Sequence, residues 1–272
     1  MPVEVAVIPA AGRGTRMQPA TFTVPKPLIP VLEKPVIQYV VEEAAEAGIT
    51  EVVFVVGDDA RVLDHFTGSS PVPGLEHISF SAVRQPEPLG LGHAVLCARE
   101  AVGDRPFLVQ LSDMFPVPGE SFTHRMTESE RGMVAVQHVD DALLDRYGVV
   151  AIGDWLEEDV ATMTGAVEKP GAANAPSDLG ILGRYTFPSR TFDVLAALPP
   201  GHGGEIQLTD AIDALAKEGA LAALVVEHAL LDTGVPLGLA EATVSVGLRR
   251  PDLSAEFRLH VAEELSASLA RD

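Results

Sequence analysis

The stretch IPAAGRGTRMQPATFTVPKPLIP runs from Ile8 to Pro30 and follows the short apolar run VEVAV. The apolar run has the composition of a strand. Pro19, Pro25, Pro27 and Pro30 exclude a regular helix after it, because each lacks an amide hydrogen and crowds the preceding turn. The stretch is therefore a glycine-rich loop after the first strand, and it carries Arg13, Arg16 and Lys26. A dinucleotide fingerprint needs a third glycine and a helix opening at the loop; Met17 occupies that third position and the prolines oppose the helix. A P-loop needs Gly-Lys-Ser/Thr, and the sequence has no such tripeptide. Two readings remain. One is a tight turn with incidental surface cations. The other is a loop whose backbone amides wrap a nucleoside triphosphate while Arg16 and Lys26 neutralise its phosphates.

Outward from that loop, apolar runs predict strands at Val3–Ile8, Glu51–Val56, Ile78–Val83, Phe107–Leu111, Met133–Val139, Gly148–Ile152, Leu179–Phe187 and Leu221–Val226. Helical spacing lies between many of them, in 35–48, 91–103 and 205–219, each closed by a glycine. Strand–helix alternation in the first half predicts a largely parallel sheet covered on both faces. The middle of the chain, about 133–187, reads as an extension of the same sheet. Two helices are expected at 237–250 and 252–270. The serine- and proline-containing segment 69–74 reads as a loop. The expected architecture is one α/β domain over 1–272, with a mixed, mainly parallel sheet flanked by helices. Its halves divide at about 132, the second reaching about 240, and C-terminal helices occupy about 236–272.

The chain of 272 residues is 47% hydrophobic, which supports a substantial core and argues against disorder. The formal charge of −20 repels nucleic acids and anionic membranes, so neither is an expected partner. It does not exclude a small anion, because salt screens surface charge beyond about 8–10 Å and local cations then decide. No apolar run is long enough to span a bilayer, and the N-terminus lacks the basic start of a signal peptide. With a single cysteine, Cys97, no internal disulfide forms. These features together predict a cytoplasmic protein. The histidines show no zinc-ligand spacing.

The residues then reach a likeness. IPAAGRGTRMQPAT followed by PKPLIP resembles the signature of the sugar-1-phosphate nucleotidylyltransferases. The form with Ala-Gly rather than Gly-Gly at 11–12, G-x-G-T-R-M, is most similar to the bacterial UTP–glucose-1-phosphate uridylyltransferases. The likeness continues in family order through KPVIQYVVEEAAEAGITEVVFV, RQPEPLGLGHAVLCA, YGVV, VEKP, GRY, GGEIQLTDAI and LLDTG, to about residue 240.

The resemblance implies a Rossmann-like nucleotidyltransferase fold, nucleotide half first, and transfer of a nucleotidyl group to a sugar 1-phosphate. The reading is UTP plus glucose 1-phosphate giving UDP-glucose and pyrophosphate. A dTTP-dependent enzyme, another sugar phosphate, or a non-catalytic nucleotide-sugar sensor are the alternatives. It also implies a Mg²⁺ cofactor held by Asp113 and Asp232, and a homo-oligomer. Asp113 ends the apolar run PFLVQLSDM, and the carboxyl ends of parallel strands are where such sheets present ligands. Read alone, each aspartate is also a turn or capping residue. Ala10, Ala11, Gly12, Gly14, Thr15, Arg16 and Lys26 would bind the nucleotide. Gln85 with Gly90 would read the base, since an amide both donates and accepts and a glycine allows close approach. His93, opening the next helix, and Cys97, on an apolar pattern, read as structural. Glu168, Lys169, Gly148, Glu205 and Thr209 would bind the sugar phosphate, with Lys169 on its phosphate. Arg16, Lys26, Asp113 and Lys169 would carry catalysis. Taken without the likeness, Glu168–Lys169 is a solvated pair at a strand end, and Glu205 and Thr209 are helix-start caps. Two departures stand out. The family's D-C-G-N-K is DTGVP here, and segment 67–77 lacks the usual extra helical insertion.

Overall fold

The computed structural model describes residues 2–69, 72–227 and 230–269. Ser70 and Pro71 of the expected loop, and Ala270 of the expected last helix, lie outside them. The chain enters at β1 (Val5–Pro9), whose residues through Ile8 are fully buried. The glycine-rich loop follows, then a short pair of strands, β2 (Pro30–Val31) and β3 (Lys34–Pro35). Pro35, with its fixed φ, stands immediately before α1 (Val36–Glu46). Val36, Ile37, Val40, Val41 and Ala44 make its buried stripe, and Gly48 ends the helical segment at φ +87°.

The alternation continues through β4 (Glu51–Val56), α2 (Arg61–Thr67), β5 (Ser79–Arg84), α3 (Leu91–Cys97), α4 (Arg99–Val102) and β6 (Phe107–Gln110). Helix 91–103, expected as one piece, is divided at Ala98. β7 (Met114–Phe115) and α5 (Thr123–Glu128) complete the first half, and the second contains β8 (Gly132–His138), β9 (Gly148–Trp155), β10 (Val160–Glu168), β11 (Leu179–Phe187) and α6 (Thr191–Ala197). It closes with α7 (Leu208–Lys217), β12 (Leu221–Val225), β13 (Leu231–Asp232), α8 (Pro236–Arg249) and α9 (Ser254–Leu269).

Nine strands form one sheet in the order β5-β4-β1-β6-β11-β8-β12-β10-β9. The sheet is mixed, as expected, but parallel pairing does not dominate the whole. The pairs β5/β4, β4/β1, β1/β6 and β8/β12 are parallel. The pairs β6/β11, β11/β8, β12/β10 and β10/β9 are antiparallel. The reason is the connections: from β8 to β11 the strands follow one another without an intervening α-helix, whereas parallel pairing of successive strands needs a crossover.

Strand β10 has no counterpart among the strands expected from the sequence. Its register shifts between Ala161 and Met163 and again between Met163 and Gly165, so inside and outside residues do not alternate cleanly. One sheet face packs on α3, α6 and α7 through Val95, Leu195 and Leu215. The other packs on α1, α2 and α8 through Val40, Phe66 and Val246.

β1 lies between β4 and β6, and the chain moves to β4 on one side before returning to β6 on the other. A crevice opens at the carboxyl ends of strands where order reverses in this way. Two loops leave at that point: the glycine-rich loop after Pro9, and Leu111–Asp113 after β6.

Candidate active site

The glycine-rich loop is held in shape by its own residues. Gly14 has φ +61°, and a β-carbon there would lie 2.8 Å from Thr21 Cγ2 and 3.0 Å from Lys26 Cβ. Only glycine fits that close return of the chain. The Thr21 hydroxyl donates to the Gly14 carbonyl at 2.8 Å. Thr15–Met17 form a single 3₁₀ turn, with Met17 buried and Arg16 exposed. Arg16 has no hydrogen bond or ion pair among the described residues and borders neither cleft described below.

Lys26, by contrast, turns inward and forms a close ion pair with Asp113. Their side chains are only 14% and 20% exposed, so the pair is shielded but reachable from solvent. β7 and β13 pair antiparallel and bring the second aspartate in, Asp232 opposite Met114. Thr233 locks the junction, its amide and hydroxyl both donating to the Asp113 carbonyl, at 2.9 and 2.8 Å. A methyl placed on Gly234 would stand 2.7 Å from Asp232 Oδ1, 3.2 Å from Asp113 Oδ2 and 3.3 Å from Lys26 Nζ. Two carboxylates and one ammonium thus converge on a single point.

The loop backbone under Asp113 is braced from within the protein. Arg184 is fully buried and ion-paired with buried Glu43 at 2.7 Å. Its guanidinium also donates to the Met114 carbonyl at 2.5 Å and reaches toward that of Leu111 at 3.5 Å. Thr123 adds a hydrogen bond to Glu43 at 2.5 Å. The Arg of GRY therefore holds both sides of Asp113 in place.

Beside this point a cleft of about 320 Å³ is bordered by Ala10, Ala11, Gly12, Lys26, Gln85, Gly90, Asp113 and Glu205. A second, of about 390 Å³, shares Ala10–Arg13, Lys26 and Gln85 and extends toward Asp59 and Arg61. Arg13, which sequence reasoning leaves out of the site, borders both clefts. Gly90 borders the first cleft, and a β-carbon there would fall 2.7 Å from the Ile206 carbonyl oxygen, so the close packing of segment 205–206 also requires glycine at this position. The same segment is zipped on by Ile206 N to Leu89 O at 2.8 Å and Gly92 N to Ile206 O at 2.9 Å. That extended pairing delays α7 to Leu208, so Glu205 is not a helix cap but a wall of the cleft.

A second cluster forms in the other half. Thr209 donates to Glu168 Oε2 at 2.6 Å, and Lys169 Nζ lies 2.9 Å from Glu168 Oε1. A β-carbon on Gly148 would be 2.9 Å from the Thr209 hydroxyl and 3.3 Å from Glu168 Oε2. Lys169 takes φ +47°, a left-handed conformation unusual for a residue with a side chain, and its amide donates to the Tyr147 carbonyl at 3.1 Å. Strain of this kind persists only where the surroundings enforce it. Burial pushes the Tyr147 phenol pKa up, and the charge of Asp232 adds to the effect. Tyr147 thus links the two clusters, touching Lys169 through its backbone and Asp232 through its field. Its place beside Gly148 in YGVV is the one signal in the sequence that could have found it.

The domain family described as nucleotidyl transferase matches residues 5–247. The chain belongs to the nucleotidyl transferase family. It is 38% identical to the UTP–glucose-1-phosphate uridylyltransferase of Escherichia coli strain K12, over 97% of this chain and 96% of that one. It is 35% identical to the Bacillus subtilis UTP–glucose-1-phosphate uridylyltransferase YngB, over 96% and 95%. Among solved structures it resembles a UDP-glucose pyrophosphorylase complexed with UDP-glucose, with TM-score 0.85, 35% identity, and coverage of 91% of this chain and 100% of that one. A UTP-bound UDP-glucose pyrophosphorylase from Acinetobacter baumannii matches with TM-score 0.84 and 35% identity, over 96% and 99%.

For a nucleotidyl transferase the pair Asp113 and Asp232 is a hard, all-oxygen donor set. Among the described residues no group of three or more histidine, cysteine or acidic side chains is placed to hold a metal ion. Two carboxylates suit Mg²⁺, which fills its other positions with water and substrate phosphate. The ammonium of Lys26 already occupies the cation side of Asp113, which shows that positive charge is accommodated there. No helix among the described residues is long and apolar enough to cross a membrane.

Proposed function

We propose that this chain transfers the uridylyl group of UTP to glucose 1-phosphate. A phosphate oxygen of the sugar forms a bond to the α-phosphorus, the bond from that phosphorus to the β-phosphate oxygen breaks, and pyrophosphate leaves. The convergence of Asp113, Asp232 and Lys26 on one point beside the glycine-rich loop carries the reading. The UTP and UDP-glucose complexes of structures 35% identical to this chain support it.

Bringing two polyanions together is a problem of position and charge, so preorganised cations are the main requirement. Gly12 faces open space, and the amides from Ala11 to Gly14 are where the phosphates would lie, that of Ala10 already donating to the Val55 carbonyl. Thr15 and exposed Arg16 would close over them, and Lys26 would neutralise charge growing on the leaving pyrophosphate. Asp113 and Asp232 would hold Mg²⁺, which supplies further neutralisation of the phosphates when bound. Lys169 would take the sugar phosphate, while Glu168, set by Thr209, would accept hydrogen bonds from sugar hydroxyls passing over Gly148. Glu205 would stand between nucleotide and sugar. We place the enzyme in the cytoplasm as an assembly of identical chains, a reading that rests on the single cysteine and the likeness to the uridylyltransferases.

Pyrophosphate release from UTP, dTTP, CTP, ATP and GTP with saturating glucose 1-phosphate tests the reading. UTP should be best and dTTP used, since one ring methyl changes discrimination by about 1–3 kcal/mol at most. ATP or GTP as the best donor would overturn it.

A further inference from the structure

The amide of Gln85 is held from two sides. Its Nε2 lies 3.1 Å from the Gly90 carbonyl oxygen and 3.1 Å from His93 Nδ1. A carbonyl can only accept, so the nitrogen of the amide, not its oxygen, must face Gly90. One amide hydrogen goes to that carbonyl and the other to His93 Nδ1, which must then be unprotonated. The ring hydrogen accordingly sits on His93 Nε2, which faces Cys97 Sγ at 3.9 Å. Burial raises the Cys97 pKa, so the sulfur there is a neutral thiol and a weak acceptor. With both hydrogens committed, Gln85 has only Oε1 left for a ligand in the clefts it borders.

We propose that His93 is a specificity-determining residue: by fixing the Gln85 amide it makes the base reader a hydrogen-bond acceptor only. An acceptor matches uracil or thymine, whose N3 carries a hydrogen. It opposes cytosine, whose N3 is itself an acceptor. A free glutamine would turn its amide and serve either base. Here a turned amide would put oxygen against two acceptors at once, the Gly90 carbonyl and His93 Nδ1, the latter kept an acceptor while the ring hydrogen on Nε2 faces Cys97 Sγ; removing His93 takes away one of the two. His93 does not touch substrate in this account; it positions the residue that does. The inference rests on the uridylyl-transfer reading.

Two substitutions test it. His93→Phe keeps a ring but removes the acceptor, with His93→Leu standing in if the phenyl ring is not tolerated. His93→Asn returns a carbonyl oxygen near the place of Nδ1. The readout is the ratio of kcat/KM for CTP to that for UTP with glucose 1-phosphate saturating, paired with calorimetric binding of each triphosphate. His93→Phe should raise the ratio about tenfold, the scale of one neutral hydrogen bond, and His93→Asn should restore it to within about threefold of the parent. A structural role alone would lower both activities and leave the ratio where it was. A folded His93→Phe with the parent ratio, or His93→Asn matching His93→Phe, overturns the proposal. If the parent protein itself does not use UTP, the function reading fails instead. If turnover is lost in a folded variant, the ratio of the two binding constants decides between the same outcomes.

Discussion

In the first half of the chain, β1 and β6 run parallel and side by side, and the loops leaving their carboxyl ends meet because the strands do. Ala10 to Lys26 and Leu111 to Asp113 need no further device to become neighbours. In the second half, Glu168, Thr209 and Gly148 come from β10, α7 and β9, and they meet only through the register of bulged antiparallel strands and a packed helix. The first arrangement is a property of topology. The second is a property of packing, and a local error in register would scatter it. Between them stands Arg184 on β11, whose buried ion pair with Glu43 on α1 joins the two regions under Asp113.

The largest effect should come from breaking that join. Arg184→Met leaves the Glu43 carboxylate buried without its partner, and removing one member of such a pair costs about 3–5 kcal/mol. Chemical denaturation should show that loss, and the double variant Glu43→Met/Arg184→Met should recover part of it, because an apolar pair no longer strands a charge. An unchanged unfolding midpoint in Arg184→Met would mean that the join carries nothing.

Next in size is the loss of the aspartate itself. Asp113→Asn should lower kcat by at least about 100-fold, the scale of one main electrostatic stabiliser, with circular dichroism unchanged. Chelation of divalent ions with EDTA should act in the same direction on the parent protein. Full activity in either case would remove Asp113 and its cation from the chemistry.

The contrast between the halves also explains what can be read in the sequence. The continuous apolar runs of β1, β4 and β6 mark strands buried on both faces, and the prolines after Pro9 announce the loop. The aspartate at the end of PFLVQLSD can be placed on a strand end from pattern alone. β10 cannot, because two register shifts break its alternation, and so VEKP is legible only by likeness. The close packing of Gly90 on segment 205–206 is hidden from the sequence for a similar reason. Its neighbour Ile206 lies more than one hundred residues away, and no local pattern announces that contact. Tyr147 and Arg184 escape a reading of the sequence because each acts by where its side chain or backbone is buried, which depends on partners from distant elements.

The smallest of the three effects tests the comparison most directly, since it asks whether each half takes its own substrate. Lys26→Ala and Lys169→Ala each remove a charge-assisted contact worth about 1.5–3 kcal/mol, or about 10- to 150-fold in the matching specificity constant. Steady-state rates with each substrate varied in turn should show Lys26→Ala falling mainly in kcat/KM for UTP. Lys169→Ala should fall mainly in kcat/KM for glucose 1-phosphate. If both variants lose only triphosphate use, the cluster of Glu168, Lys169 and Thr209 is not a sugar-phosphate site, and the assignment of one substrate to each half is wrong.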